Sequence, residues 1–253
     1  MSGFRYWEID ALRGIGVVMM ITFHTVFALD FFGAVAVEVA QGLWRFFALA
    51  TATIFIAVAG VSLSISSARA AQHLDRRGVA EKNLRRGAGI FLLGMGITLV
   101  TWLLLPDEYI LFGVLHCIGL SIALSPLFLG LGRRNLLLGA VIILLGPIVA
   151  QIEGPLALAW LGIHPADFAS LDYVPLVPWL GVFLAGMGTG ALLYPGGRRG
   201  FPARDGERAP IGPLTFLGRH SLPIYLVHVP VILLSLSLLV PGFAARLLSL
   251  LLS

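Results

Sequence analysis

Residues 8–30, EIDALRGIGVVMMITFHTVFALD, read as one helix able to cross a bilayer, with Glu8, Asp10 and Arg13 clustered at its start and a histidine, His24, far along it. At about 100° per residue, Asp10, Arg13 and His24 fall within roughly 60° of one another on the helix surface. At about 1.5 Å per residue, His24 stands about 21 Å above Asp10, most of the way across a hydrocarbon core of about 30 Å. Ionisable groups at that depth are costly, so a polar stripe of this kind is a functional-site hypothesis by default.

The composition around this stretch excludes an ordinary soluble domain. The chain is 58% hydrophobic and only 12% charged, with a mean hydropathy of +0.95, against about 25% charged residues in soluble proteins. The opening residues lack the basic region and cleavage site of a signal peptide, so the first apolar run is expected to remain as a helix. Apolar runs of helical length occur at 11–32, 43–66, 87–105, 110–131, 135–152, 174–194 and 219–240. The expected fold is an all-α integral membrane protein, a bundle of about seven transmembrane helices forming one domain over residues 1–253. The last run, Phe243 to Leu252, is too short to cross and is expected to lie at the interface.

Charge sets the orientation. With the N-terminus in the cytoplasm, fifteen of the seventeen Lys and Arg fall inside, among them Arg204 and Arg208, and only Arg45 and Arg246 fall outside. This positive-inside bias holds loop by loop. Trp44, Trp102 and Trp179 then sit at outer helix ends and Trp7 at an inner one, where an indole keeps its N–H wet. The pI of 9.7 therefore reports membrane topology and not nucleic-acid binding. The arginine-rich inner stretches 68–86 and 195–213 suit lipid headgroups and also phosphate-bearing ligands, which a guanidinium grips in bidentate fashion. Cys117 has no partner for a disulfide, and no Cys/His pair has metal-ligand spacing.

Three histidines lie inside apolar runs: His24, His116 and His228. Three in seven helices point to a shared polar cavity, and histidine suits proton transfer because its usual pKa of about 6.5 leaves it ready to accept a proton. In the last run, Ser221, Tyr225 and His228 fall at i, i+4 and i+7 on one face, with Arg219 and His220 at its inner entry and Pro223 and Pro230 on either side of the histidine. Asp10 and Arg13 form an i, i+3 pair. Asp30 and Asp172 stand at outer helix ends. Gly186 with Gly190, and Gly94 with Gly96, read as thinned faces for helix packing.

RYWEIDALRGIGVVMMITFHTVFALDFFG, FIAVAGVSLSIS, RRGAGIFLLGMGITLVTWLLLPDEYILFGVLHCIGLS, DYVPLVPWLGVFLAGMGTG and FLGRHSLPIYLVHVPVI follow one another in this order. Together they resemble the prokaryotic members of the heparan-alpha-glucosaminide N-acetyltransferase catalytic-domain family. The resemblance implies a multi-pass enzyme of the plasma membrane that transfers an acetyl or other acyl group from cytosolic acetyl-CoA, the donor, to an amine or hydroxyl of a glycan or amino-sugar acceptor outside. On this reading His24, His228 and His116 are the catalytic candidates. Asp10, Arg13, Arg85, Arg86, Arg219, His220, Ser221 and Tyr225 are the donor-binding candidates, and Asp30, Asp172 and Trp179 lie on the acceptor side. In the relatives the proposed catalytic histidine follows the first helix, whereas residues 31–44 here contain none and His24 stands where those relatives carry an asparagine. The expected partners are the bilayer, acetyl-CoA, the acceptor and further copies of the chain, with no metal and no nucleic acid. A proton-coupled transporter of a small solute, using the three histidines as a relay, is the alternative from another class. Haem held between histidines is a third.

Overall fold

The structure is a computed structural model that describes residues 5–202 and 211–251; Arg204 and Arg208 lie outside the described residues. Nine α-helices occur among them: α1 Trp7–Phe31, α2 Gly42–Ala70, α3 Arg76–Leu104, α4 Val114–Leu124, α5 Asn135–Val149, α6 Leu176–Leu193, α7 Gly212–Arg219, α8 Ser221–Leu239 and α9 Phe243–Leu251. Six helical stretches are long and apolar enough to cross a membrane: α1, α2, α3, Leu129–Val149 (α5 with its preceding turn), α6 and α8. The protein is a multi-pass helical membrane protein. The run 110–131 differs from a full span. Its helix begins only at Val114, after the extended Gly113, and gives way to 3-10 turns at Ser125–Leu127 and Leu129–Arg134, where Pro126 has no N–H to continue the α-helical ladder.

The chain divides into two compact units, Met1–Phe55 with Arg204–Ser253, and Ile56–Ala203. In the first, α1 opens with Glu8 and Asp10 in its first turn, where carboxylates meet the positive end of the helix dipole. It stops at Gly33, whose φ of +64° is the left-handed conformation that closes a helix at least cost in glycine. Beyond it the Ala34 N–H bonds back to the Leu29 carbonyl, and the Asp30 carboxylate accepts the Val37 N–H at 2.9 Å. Helix α7 lies against α1 with almost no side chain between them: a methyl on Gly14 would meet the Leu214 carbonyl, and one on Gly218 would meet the Asp10 carbonyl. The stretch 195–213 shows no apolar period, yet its end starts α7. Glycine on both helices lets the backbones touch, and that contact supplies what the local sequence lacks. Further along, Ala28, Ile232, Leu236 and Phe243 form the apolar core joining α1, α8 and α9.

In the second unit the same device recurs. Gly139 and Gly181 face each other's carbonyls across α5 and α6, Gly87 and Gly119 do so across α3 and α4, and Gly60 with Gly186 brings α2 onto α6. Gly190 meets Ser64 and Val61, so the Gly186–Gly190 face is a packing face. Of the other pair only Gly94 packs, against the His116 ring; Gly96 faces nothing within 4 Å. The loop between α5 and α6 is tied to the α3–α4 connection through Leu171 N–H to Glu108 and Val174 N–H to Phe112. There the Tyr173 hydroxyl donates to the Ala159 carbonyl at 2.7 Å, and burial pushes its phenol up to about 12.

Candidate active site

At one end of α1, Asp10 is 3% exposed and lies between two guanidinium groups. Arg13 Nη1 reaches Oδ1 at 3.3 Å from one turn away, and Arg219 Nε reaches Oδ2 at 3.3 Å from the end of α7. The i, i+3 pairing with Arg13 is legible in sequence; the second arginine, 209 positions away, is not. Asp10 is thereby a bracket that joins α1 to the α7–α8 bend at His220. His220 itself is exposed, with Nδ1 donating to the Phe216 carbonyl at 2.9 Å and its ring against Phe216. Only the Nε of Arg219 is engaged with Asp10, so its half-exposed Nη groups remain presented to an anion.

We expect Asp10→Asn to lower the unfolding free energy by about 1–2 kcal/mol, read by thermal or denaturant unfolding in detergent. Two charge-assisted hydrogen bonds are lost, and the partial exposure of Arg13 and Arg219 lets both recover hydration, which keeps the loss below that of a fully buried pair.

Farther along α1, His24 meets His228 of α8. The ring centroids are 4.6 Å apart at an interplanar angle of 87°. Each ring fixes its own tautomer. His24 Nδ1 lies 2.9 Å from the Met20 carbonyl and His228 Nδ1 lies 2.6 Å from the Tyr225 carbonyl; a carbonyl only accepts, so both Nδ1 atoms carry hydrogen and the lone pair of each neutral ring is on Nε2. His228 is 7% exposed, and its Nε2 is buried with no hydrogen-bond partner. A buried nitrogen lone pair without a donor is costly and calls for an explanation. Tyr225 places its ring 5.5 Å from His228, so the i, i+4, i+7 face is real for these two. Ser221 opens α8, and Pro230, inside that helix, has no N–H to donate to the Leu226 carbonyl.

His24 and His228 pair in the first unit, while the partners that His116 shows lie in the second. His116 Nδ1 accepts the Gly113 N–H at 3.1 Å, and its Nε2 meets the Thr98 hydroxyl at 3.2 Å while that hydroxyl donates to the Ile110 carbonyl. Phe91 and Phe112 flank the ring. With both nitrogens occupied, His116 works as the N-terminal cap of α4, and Asp172 assists by accepting the Val114 N–H at 3.1 Å. Arg85 pairs with Glu81 on the α3 surface, Arg86 follows it on the same exposed turn, and Trp179 stands half-buried near the start of α6. Among the described residues, no group of three His, Cys, Asp or Glu is placed to hold a metal ion.

Compared with known proteins, residues 5–230 match the model of the family described as heparan-alpha-glucosaminide N-acetyltransferase, catalytic. No curated protein and no solved structure matches the chain. The family match runs through both units and takes in Asp10, His24, Arg219 and His228. The chain belongs to the heparan-alpha-glucosaminide N-acetyltransferase catalytic-domain family.

Proposed function

We propose that the protein transfers an acetyl group from cytosolic acetyl-CoA to the amine or hydroxyl of a sugar acceptor on the other side of the plasma membrane. The observation that carries this reading is the unpartnered His228 Nε2, buried beside His24 within a unit whose cation-bearing end holds Arg13 and Arg219. The donor's phosphates meet the Arg219 Nη groups at that end, with Asp10 as the positioning residue that fixes the guanidinium. The pantetheine arm then runs along the α1–α8 face past Ser221 and Tyr225 toward the histidines, about 21 Å away along α1. The acceptor approaches from the end carrying Asp30, about 9 Å beyond His24.

His228 Nε2 takes the proton of the acceptor N–H or O–H as the acceptor atom bonds to the thioester carbonyl carbon. The C–S bond then breaks and CoA leaves as the thiolate, which takes up a proton. The N–H held by the Tyr225 carbonyl keeps the ring in the tautomer this step requires, as a carboxylate does for other catalytic histidines. His24, edge-on to the same ring, positions it and shields it from lipid. The single match over residues 5–230 supports reading the chain as one domain.

The test uses the purified full chain in proteoliposomes, radiolabelled acetyl-CoA and free glucosamine as the probe acceptor. Labelled N- or O-acetylglucosamine and free CoA are expected in equal amounts. An absence of acetyl-CoA consumption with glucosamine, glucose and chitobiose alike would refute the reading.

A further inference from the structure

A cavity of about 800 Å³ lies wholly within the second unit. Its mouth is formed by three connections: the end of α2 into α3, the turns between α4 and α5, and the turn after α6. Its depth is reached at Ser64, Met187 and Asn135, the last two being 2% and 1% exposed. The mouth is held open by long-range bonds. Arg69 Nε donates to the Gly197 carbonyl at 2.9 Å and Gln72 Nε2 to the Gly196 carbonyl at 3.1 Å, which fixes the turn after α6 against α2. Behind the wall, Asn83 bonds Ser67 and Ser125, and Lys82 Nζ bonds Ser66.

Its chemistry is two-sided. Val79, Pro126, Leu129, Met187 and Ala191 form the apolar wall, and Arg76 is the cation in the lining. Asp75 stands next to Arg76, with Oδ1 committed to the Gly78 N–H at the start of α3. The surrounding field is strongly positive: ten Lys and Arg occur at 69–86, 133–134 and 198–199, against only Asp75 and Glu81. Low-dielectric walls under a net positive rim concentrate anions at the mouth. The volume lies in the range of small-molecule sites, which reaches about 1,000 Å³.

We propose that this cavity is a binding site for an amphipathic phosphate ester, with the phosphoryl group at Arg76 and the uncharged chain along the Met187 and Leu129 wall. The headgroup of an anionic phospholipid carries that chemistry, whereas the phosphates of coenzyme A are placed at Arg219. The site goes beyond the transfer reaction and stands whether or not His228 is its base, because it shares no residue with the Asp10 to His228 face.

Native mass spectrometry of the delipidated full chain, titrated separately with dioleoyl-phosphatidylglycerol and with coenzyme A, tests it. The lipid is expected to bind at one equivalent. Arg76→Glu should weaken that binding about tenfold or more, as loss of a charge-assisted contact does, and Ala191→Trp should abolish it by filling the wall. Lipid binding that Arg76→Glu weakens supports the site, whereas coenzyme A binding that Arg76→Glu weakens overturns it in favour of the donor's phosphates. It is also overturned if the lipid does not bind, or if both variants bind the lipid as the wild type does. Arg76 is exposed, so Arg76→Glu decides the matter even where Ala191→Trp fails to fold. Dioleoyl-phosphatidylcholine, which carries a phosphate but no net charge, serves as the control and should not bind.

Discussion

His228→Ala is expected to lower acetyl transfer from labelled acetyl-CoA by a factor of about 10² to 10⁴ while leaving coenzyme A binding within a few-fold of the wild type. The reason is positional. His228 Nε2 is the one buried ring nitrogen, among the described residues, that has no hydrogen-bond partner, and the Tyr225 carbonyl at 2.6 Å holds the hydrogen on the other nitrogen. A base must keep its lone pair uncommitted and near the proton it takes, and this ring meets the first condition. His24→Ala removes only the edge-on neighbour, so a smaller loss is expected, about tenfold, from a less well-held ring. His116→Ala separates the roles in the other direction. It deletes the cap of α4 and leaves the Gly113 N–H and the Thr98 hydroxyl without their shared partner, so it should lower the melting temperature while the surviving folded protein keeps its turnover. Equal activity in wild type and His228→Ala, with coenzyme A bound in both, would remove His228 from the chemistry.

Gly218→Ala is expected to be the most damaging single methyl in the first unit. Its Cβ would fall onto the Asp10 carbonyl oxygen and 3.0 Å from the Gly14 nitrogen. These are backbone atoms of a helix, so no side chain can swing away and α7 must separate from α1. Overpacking of this kind costs about 1–3 kcal/mol, and the upper end or beyond is expected here because relief also pulls Arg219 off Asp10. Gly96→Ala provides the opposite sign. Nothing lies within 4 Å of its Cβ position on α3, so the substitution gains helix propensity and should be neutral or stabilising by up to about 1 kcal/mol. Unfolding of both variants in the same detergent checks the pair. Equal melting temperatures would mean that the α1–α7 contact is not what holds the Asp10 bracket together.

Much of this architecture was legible beforehand because a bilayer imposes long apolar runs and places cations at one side. The run 8–30 became α1, its terminal stop came at the glycine after it, and Asp10 with Arg13 formed the local pair that their spacing allows. The short helix α4 and the extra helix α7 were not legible. The first is ended at Pro126, and its start is capped by His116 with the help of Asp172, which comes 58 residues after Val114. The second begins in a Gly- and Pro-rich stretch with no apolar period and is held by glycine contacts with α1.

By itself the sequence determined the class, the family and the polarity of the stripe from Asp10 to His24, since composition, charge bias and ordered motifs are properties of the chain alone. Only the tertiary structure decided which histidine has an uncommitted nitrogen. Three histidines on apolar helices look alike in sequence, and their difference lies in partners contributed by other segments. Thr98 and Gly113 occupy both nitrogens of His116, whereas the carbonyl one turn back engages a single nitrogen of His228 and leaves the other buried and bare. The second arginine on Asp10 has the same origin, because a contact between positions 10 and 219 exists only once α7 has been laid against α1 through glycine.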